Sequence, residues 1–311
     1  METSITTSFN LSYEALREKF ARLQLLEKQR KKTSLTPSSP WSIMDSQETR
    51  NLSRNRYYDI VPYDKCRVKL VDQENDYINA SYVFLPNGQK YIAAQGPLQS
   101  TISHFWSMIW HELDNNGIIL MLTKAEEQGI EKCAKYWPEE KQEALIITEV
   151  SLKVEFVEVK YEEKTESIIR HLRLSKLGEN KSELVKHIFH VYFGNWPDHS
   201  VPQDLQPIMD LISLITNIRK KKDDIILVHC SAGCGRTGTF IVLDYLISTL
   251  SEFKNDSSKK NHIFDDDKDP IFDVINHIRE QRMVMVQVLL IQYIILQYLY
   301  TTELFTIRTY L

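Results

Sequence analysis

The 311-residue chain has few cysteines, no long apolar run and no large excess of either charge. Its four cysteines, Cys66, Cys133, Cys230 and Cys234, show no framework spacing. That argues against a disulfide-stapled secreted fold and for a reducing compartment, the cytoplasm with the nucleus left open. No run approaches the ~18 uninterrupted apolar residues of a membrane span. The start, Met1-Glu2-Thr3-Ser4, lacks the basic-then-apolar pattern of a signal peptide. A net charge of -4 speaks against general nucleic-acid binding, so an anionic ligand has to be met by a local basic cup and not by a global field. No ligand cluster for a metal stands out, and neither a metal nor a cofactor is expected. What remains is 42% hydrophobic and 26% charged, the composition of a globular protein with one large domain or at most two.

Residues 1–40 read as separate from the rest. Tyr13, Leu16, Phe20 and Leu23 fall at helical spacing, and a Thr/Ser/Pro linker follows from Thr33 to Pro40. Packing of this helix on the domain is the simpler reading; a partner-binding or membrane-surface helix is the alternative. Beyond it, strands are expected at Asp76 to Tyr82, Tyr91 to Ala94 and Gly117 to Leu122, with an amphipathic helix around Phe105 to Trp110. Antiparallel strands are expected over Leu145 to Val159, Ser167 to Leu174 and Val185 to Phe193. Helices are expected at Asp204 to Arg219, Thr237 to Leu250, Ile271 to Arg282 and Leu289 to Leu304, with a polar surface loop from Lys254 to Pro270.

The most informative stretch is 225–240. Ile225 to Val228 reads as a buried strand, followed by His229 and Cys230, a loop of small residues, Arg236 and a helix. Strand, tight loop and helix N-terminus form an anion site, because loop amides and helix dipole point into the same cup. A thiol at a helix N-terminus near a cation titrates at about 3.5–7.5, so Cys230 is expected to be largely thiolate, the attacking form. Arg236 offers a planar fork for two phosphate oxygens. Gly233 and Gly235 let the backbone approach the anion. A lone cysteine on such a turn is as readily structural; the full His-Cys-x5-Arg-Thr pattern favours catalysis.

His229-Cys230-Ser231-Ala232-Gly233-Cys234-Gly235-Arg236-Thr237-Gly238 resembles the signature loop of the cysteine-dependent protein tyrosine phosphatases. Four further segments resemble that family in the same order. Arg54 to Asp64 with Asp76 to Tyr82 is similar to its recognition loop and first strand, Glu127 to Cys133 to a loop beside the active site, Trp196-Pro197-Asp198 to its movable acid loop, and Gln281 to Gln287 to its glutamine loop. The resemblance covers residues 50–300 and implies an α/β fold, a strongly twisted mixed β-sheet flanked by helices, with a catalytic domain at 41–305. It implies two-step hydrolysis of phosphotyrosine in proteins. Cys230 attacks phosphorus, while Arg236 and the amides of Ser231, Ala232, Gly233, Cys234 and Gly235 hold the charge. Asp198 is the general acid and then base, and Trp196 anchors its loop. Gln287 positions the hydrolytic water, Thr237 stabilises the departing thiolate and His229 orients the loop. Tyr57 stacks on the substrate ring, Asp59 accepts hydrogen bonds from the substrate backbone, and Lys132 interacts with the acid loop. A slot walled by Tyr57 favours phosphotyrosine over the shorter phosphoserine. The partners implied are phosphotyrosine proteins, with MAP kinases suggested by likeness to compact fungal members, and the chain is expected to be a monomer.

Three departures from the family pattern are visible. Ser200 stands where glycine is common, Val288 and Ile291 replace the usual threonine and second glutamine, with Gln292 one place late, and Cys234 replaces the commoner isoleucine or valine. Cys234 is read as a small apolar wall residue; condensation with an oxidised Cys230 is the alternative. Two other readings of the whole chain stay open from sequence: a catalytically dead phosphotyrosine-binding module and a dual-specificity phosphatase.

Overall fold

The structure, a computed structural model, describes residues 13–140, 144–178, 184–196, 204–255 and 269–287. The acid-loop segment 197–203, including Asp198 and Ser200, lies outside the described residues, as do most of the expected polar loop and the expected last helix with Gln292.

The core is a nine-stranded mixed sheet with helices on both faces. In chain order its strands are β1 (Arg67–Lys69), β2 (Tyr77–Phe84), β3 (Lys90–Ala94), β4 (Asn116–Met121), β5 (Leu145–Ile147), β6 (Leu152–Glu162), β7 (Ser167–Lys176), β8 (Lys186–Tyr192) and β9 (Ile226–His229). Their spatial order is β1-β2-β3-β9-β4-β8-β7-β6-β5. The four central strands β3, β9, β4 and β8 run parallel, and the strands on either side are antiparallel. This matches the expected fold class.

Burial follows this pattern. The short strand β9 is buried at every position, as a central parallel strand covered on both faces must be. Its alternation places Ile226 and Val228 in one hydrophobic cluster and Leu227 in the other. The first cluster takes in residues from α1 (Tyr13–Thr33), α3 (Gln206–Ile218), α4 (Gly235–Asn255) and α5 (Pro270–Arg279); the second is built on α2 (Ile102–Glu112). Leu16 and Leu23 of α1 are part of the first, so the N-terminal helix packs on the domain. Continuing the alternation past His229 puts Cys230 on the α4 side.

Two expected elements differ in detail. The single strand expected from Leu145 to Val159 is two strands, separated by a 3-10 turn and by Ser151 at φ +52, where the chain must reverse to pair β5 with β6. The helix expected to reach Arg282 ends at Arg279, because Arg282 turns inward to bond other loops.

The loops that follow β3, β4, β8 and β9 all leave the carboxyl end of the parallel strands, the edge at which α/β sheets bind ligands. Behind that edge, Asp244 of α4 is 1% exposed. It accepts hydrogen bonds from Tyr91 Oη, Gln89 Nε2 and Arg219 Nη2, tying β3, α3 and α4 together. Stripping one partner from such a buried charged cluster costs about 3–5 kcal/mol. Asp244→Asn is therefore expected to lower the unfolding free energy in urea by roughly 3 kcal/mol while the folded fraction keeps its anion affinity. A loss below about 1 kcal/mol would show that the cluster is not a structural tie.

Candidate active site

Cys230 follows β9 directly and is 5% exposed at the rim of the loop that leads into α4. Every carbonyl from Cys230 to Cys234 is engaged by a donor outside the cup. Cys230 O faces His229 Nδ1 at 3.1 Å, and Ser231 O accepts from Gly96 N at 2.9 Å. Arg282 donates Nη2 to Ala232 O at 2.9 Å and Nε to Gly233 O at 2.8 Å. Cys234 O accepts from Gly238 N at 2.9 Å and Val286 N at 3.2 Å. In a trans peptide the N–H points opposite to the C=O. With the carbonyls turned out, the amides of residues 231–235 turn inward and form an anion nest.

Gly233 has φ +70, and a Cβ there would lie 2.1 Å from Ala94 O. The loop thus needs glycine for its seat on β3 as well as for its conformation. A Cβ on Gly235 would lie 2.9 Å from Gln287 Oε1, which puts the Gln287 amide directly against the cup. Thr237 Oγ1 is fully buried and has no hydrogen-bond partner among the described residues.

Arg236 is fixed in plane by a residue the sequence did not single out. Its Nη1 and Nη2 donate to Glu127 Oε1 and Oε2 at 2.7 and 2.9 Å, and Nη1 also to Leu122 O at 3.1 Å. The bidentate pair holds the guanidinium under the cup. Lys132 and Trp196 line a cavity of about 630 Å³ beside Glu127.

His229 is fully buried between Cys230 and Tyr136, and its Nε2 lies 2.7 Å from Tyr136 Oη. Burial lowers its pKa to about 4, so the ring is neutral. A carbonyl can only accept, so Nδ1 carries the proton and Nε2 accepts from Tyr136. This fixes the ring and, through it, the first peptide of the cup.

At the mouth, Tyr57 packs against the first cluster, and its hydroxyl lies 2.8 Å from Ser231 Oγ, which in turn donates to Lys132 O. Arg56 straps this segment down by donating to Gly96 O, Pro97 O and Glu131 O. Asp59 and Tyr58 are exposed beside it. Cys234 is at 0% exposure; its Sγ donates to Met283 O at 3.2 Å, and burial pushes the thiol up to about 11. It is a neutral wall residue facing the glutamine loop. That loop is strained: Val284 and Val286 both have φ +58, a region that costs a β-branched residue about 1–3 kcal/mol.

The site brings together Cys230, Arg236, Thr237, His229, Gln287, Tyr57, Ser231 and Lys132. Glu127, Tyr136, Arg56 and Arg282 were missed. The sequence signal for three of them was their place inside the family-like segments: Arg56 in Arg54 to Asp64, Glu127 in Glu127 to Cys133 and Arg282 in Gln281 to Gln287.

The buried imidazole has a stability signature. An unfolded histidine titrates near 6.5 and His229 near 4, so between those values the unfolded chain binds more protons and stability rises with pH. In urea titrations from pH 4 to pH 7, His229→Gln is expected to remove about 3 kcal/mol of that rise. An unchanged pH slope would mean that His229 titrates as an exposed ring.

Residues 51–301 match the family described as protein-tyrosine phosphatase. The chain is 40% identical over 272 residues to tyrosine-protein phosphatase 2 of Schizosaccharomyces pombe, covering 86% of this chain but 36% of that protein. It is 37% identical over 297 residues to tyrosine-protein phosphatase 1 of Saccharomyces cerevisiae, covering 86% and 88%. The chain therefore spans about a third of the first relative and most of the second. A solved structure of PTPN18 superposes with a TM-score of 0.78 at 27% identity, covering 94% of this chain and 97% of the other. Another, of PTPN18 in complex with HER2 phosphopeptides, gives 0.76 at 26% identity over 91% and 97%. No helix among the described residues is long and apolar enough to cross a membrane. With the family pattern matched over most of its length and the cup assembled around Cys230, the chain belongs to the protein-tyrosine phosphatase family.

Proposed function

We propose that the chain hydrolyses phosphotyrosine in proteins by a two-step reaction through a phosphocysteine. The observation that carries this reading is the inward-facing amide cup, with Cys230 at its first position and Arg236, braced by Glu127, at its end. A phosphate dianion in that cup has its oxygens on backbone donors and its phosphorus over the sulfur.

In the first step the Cys230 thiolate forms the P–S bond as the P–O bond to the tyrosine breaks, and Asp198 gives its proton to the leaving oxygen. In the second, water attacks phosphorus, Asp198 takes a proton from it, and the P–S bond breaks with its electron pair returning to sulfur. Gln287, seated against Gly235, positions that water. The Thr237 hydroxyl donates to the returning thiolate, and the His229–Tyr136 pair holds the first peptide of the cup in place. Tyr57 supplies the wall on which the substrate ring stacks, Asp59 receives the substrate backbone, and Lys132 steadies the acid loop. The catalytic unit is residues 41–305, and the helix Tyr13–Thr33 ahead of it buttresses it. The chain acts as a monomer, in a reducing compartment that keeps the Cys230 sulfur from oxidation. Phosphotyrosine in a MAP kinase activation segment is the substrate to try first, on the likeness to fungal relatives.

Purified protein under reducing conditions is expected to hydrolyse a phosphotyrosine peptide, and Cys230→Ser to reduce turnover to background. Asp198→Ala should lower kcat by about 10²–10⁴-fold and retain bound substrate, which makes it the variant for capturing physiological partners. No hydrolysis by the parent protein would leave a binding module. Equal rates on phosphothreonine peptides would make it a dual-specificity enzyme.

A further inference from the structure

The stripe of α1 that faces the domain begins apolar, with Leu16, Phe20 and Leu23, and continues with the same spacing into Glu27 and Arg30, which are only 4% and 5% exposed. Two charges thus occupy positions where the pattern calls for core residues. Their surroundings explain the placement. Glu27 Oε1 accepts from Tyr63 Oη at 3.2 Å, and Arg30 donates to Asn276 Oδ1 and Glu280 Oε1 of the segment around α5. Arg30 also lies 3.8 Å from Glu27. Close by, where the Glu27 charge favours its ionised form against the cost of burial, is Arg279, at 0% exposure, with its guanidinium over the Phe20 ring. Among the described residues, Glu27 Oε2, Arg30 Nη1 and Arg279 Nη1 have no hydrogen-bond partner. Arg30 has the half-exposed Glu280 as a second carboxylate partner, but Glu27 is the buried carboxylate facing the two buried guanidiniums.

Arg279 has a second task. Its Nε donates to Met285 O at 2.8 Å and its Nη2 to Val286 O at 2.9 Å. These are the two carbonyls directly before Gln287, in the loop where Val284 and Val286 are held at φ +58. A valine keeps that conformation only while its surroundings over-determine it. The restraints are Arg279 on one side and the Val286 N–H to Cys234 O bond on the other.

We propose that Glu27 is a positioning residue for the hydrolytic half of the reaction: it keeps Arg279 clamped on the strained Met285–Val286 turn, and so holds the Gln287 amide against the cup. This rests on the reading of Gln287 as the group that positions the attacking water. Without the Glu27 charge, the two buried guanidiniums are left with only the half-exposed Glu280, already held by Arg30, and Arg279 is drawn away towards solvent. Val286 then relaxes to negative φ, and Gln287 swings off Gly235. The first step, which does not use Gln287, is spared.

The test is the partition of the phosphocysteine between water and an added alcohol, glycerol, with para-nitrophenyl phosphate as phosphoryl donor. A correctly seated Gln287 favours water; a displaced one admits the alcohol. Glu27→Gln is expected to raise the glycerol phosphate fraction by roughly threefold or more and to slow phosphoenzyme breakdown with little change in its formation. Tyr63→Phe removes only the hydroxyl that holds Glu27, and is expected to raise the fraction by about twofold; it serves if Glu27→Gln does not fold. Lys19→Gln, on the same helix as Glu27, breaks the partly exposed pair with Asp269 at the start of α5 and should partition as the parent does. Parent-like partition in both Glu27→Gln and Tyr63→Phe, or an equal rise in Lys19→Gln, would overturn the inference. Gln287→Ala is measured alongside. If it too partitions like the parent, the reading of Gln287 fails and the inference fails with it. If it diverts phosphate to glycerol while the Glu27 and Tyr63 variants do not, only the inference fails.

Discussion

The site depends on the direction of a few peptide planes. Between Cys230 and Cys234 each carbonyl is pulled outward, by His229, Gly96, Arg282, Gly238 and Val286. Turning the carbonyls out turns the amides in, and five inward amides at the start of α4 make a cup that needs a phosphate-sized anion. No positive field from the whole molecule is required, which fits a chain of net charge -4. The cost of desolvating the Arg282 guanidinium is met by carbonyls it orients and by Asn79 Oδ1. Structure and recognition therefore use the same bonds.

The sheet supplies the rigidity this geometry requires. The strand β9 lies between β3 and β4 in a parallel register, so the start of the cup moves only if the centre of the sheet moves. Its alternation separates two chemistries. Cys230 faces the α4 side, while His229 faces the aromatic cluster of Phe105 and Tyr136 on the other. A neutral imidazole there can orient the Cys230 peptide without adding a charge to the cup. The remaining parallel strands deliver Glu127 and Trp196 to the same edge, and the segment before β1 brings Arg56 and Tyr57 there, bonded to the loop after β3 and to Ser231.

Much of this was legible before the structure. The buried run Ile225 to Val228, the small-residue loop and the helix after Arg236 announced strand, cup and helix together, and the period-two patterning of 145–193 announced antiparallel strands. The spacing of Leu16, Phe20 and Leu23 announced a helix that packs. What escaped were pairings across long stretches of chain: Glu127 with Arg236, Tyr136 with His229, Arg282 with Ala232 and Gly233, and Glu27 with Tyr63. Each residue alone has an ordinary surface reading, and only the fold shows that it is buried beside its partner. The break at Ser151 escaped because its left-handed turn has no glycine to mark it.

Chemical capture of the intermediate asks most directly whether the cup makes Cys230 the nucleophile. Protein mixed with para-nitrophenyl phosphate, quenched in acid within milliseconds and mapped by mass spectrometry, should carry phosphate on the peptide containing Cys230, and the label should vanish in Cys230→Ser. Turnover without any label on that peptide, or phosphate attached to a different residue, would contradict the chemistry derived from this loop.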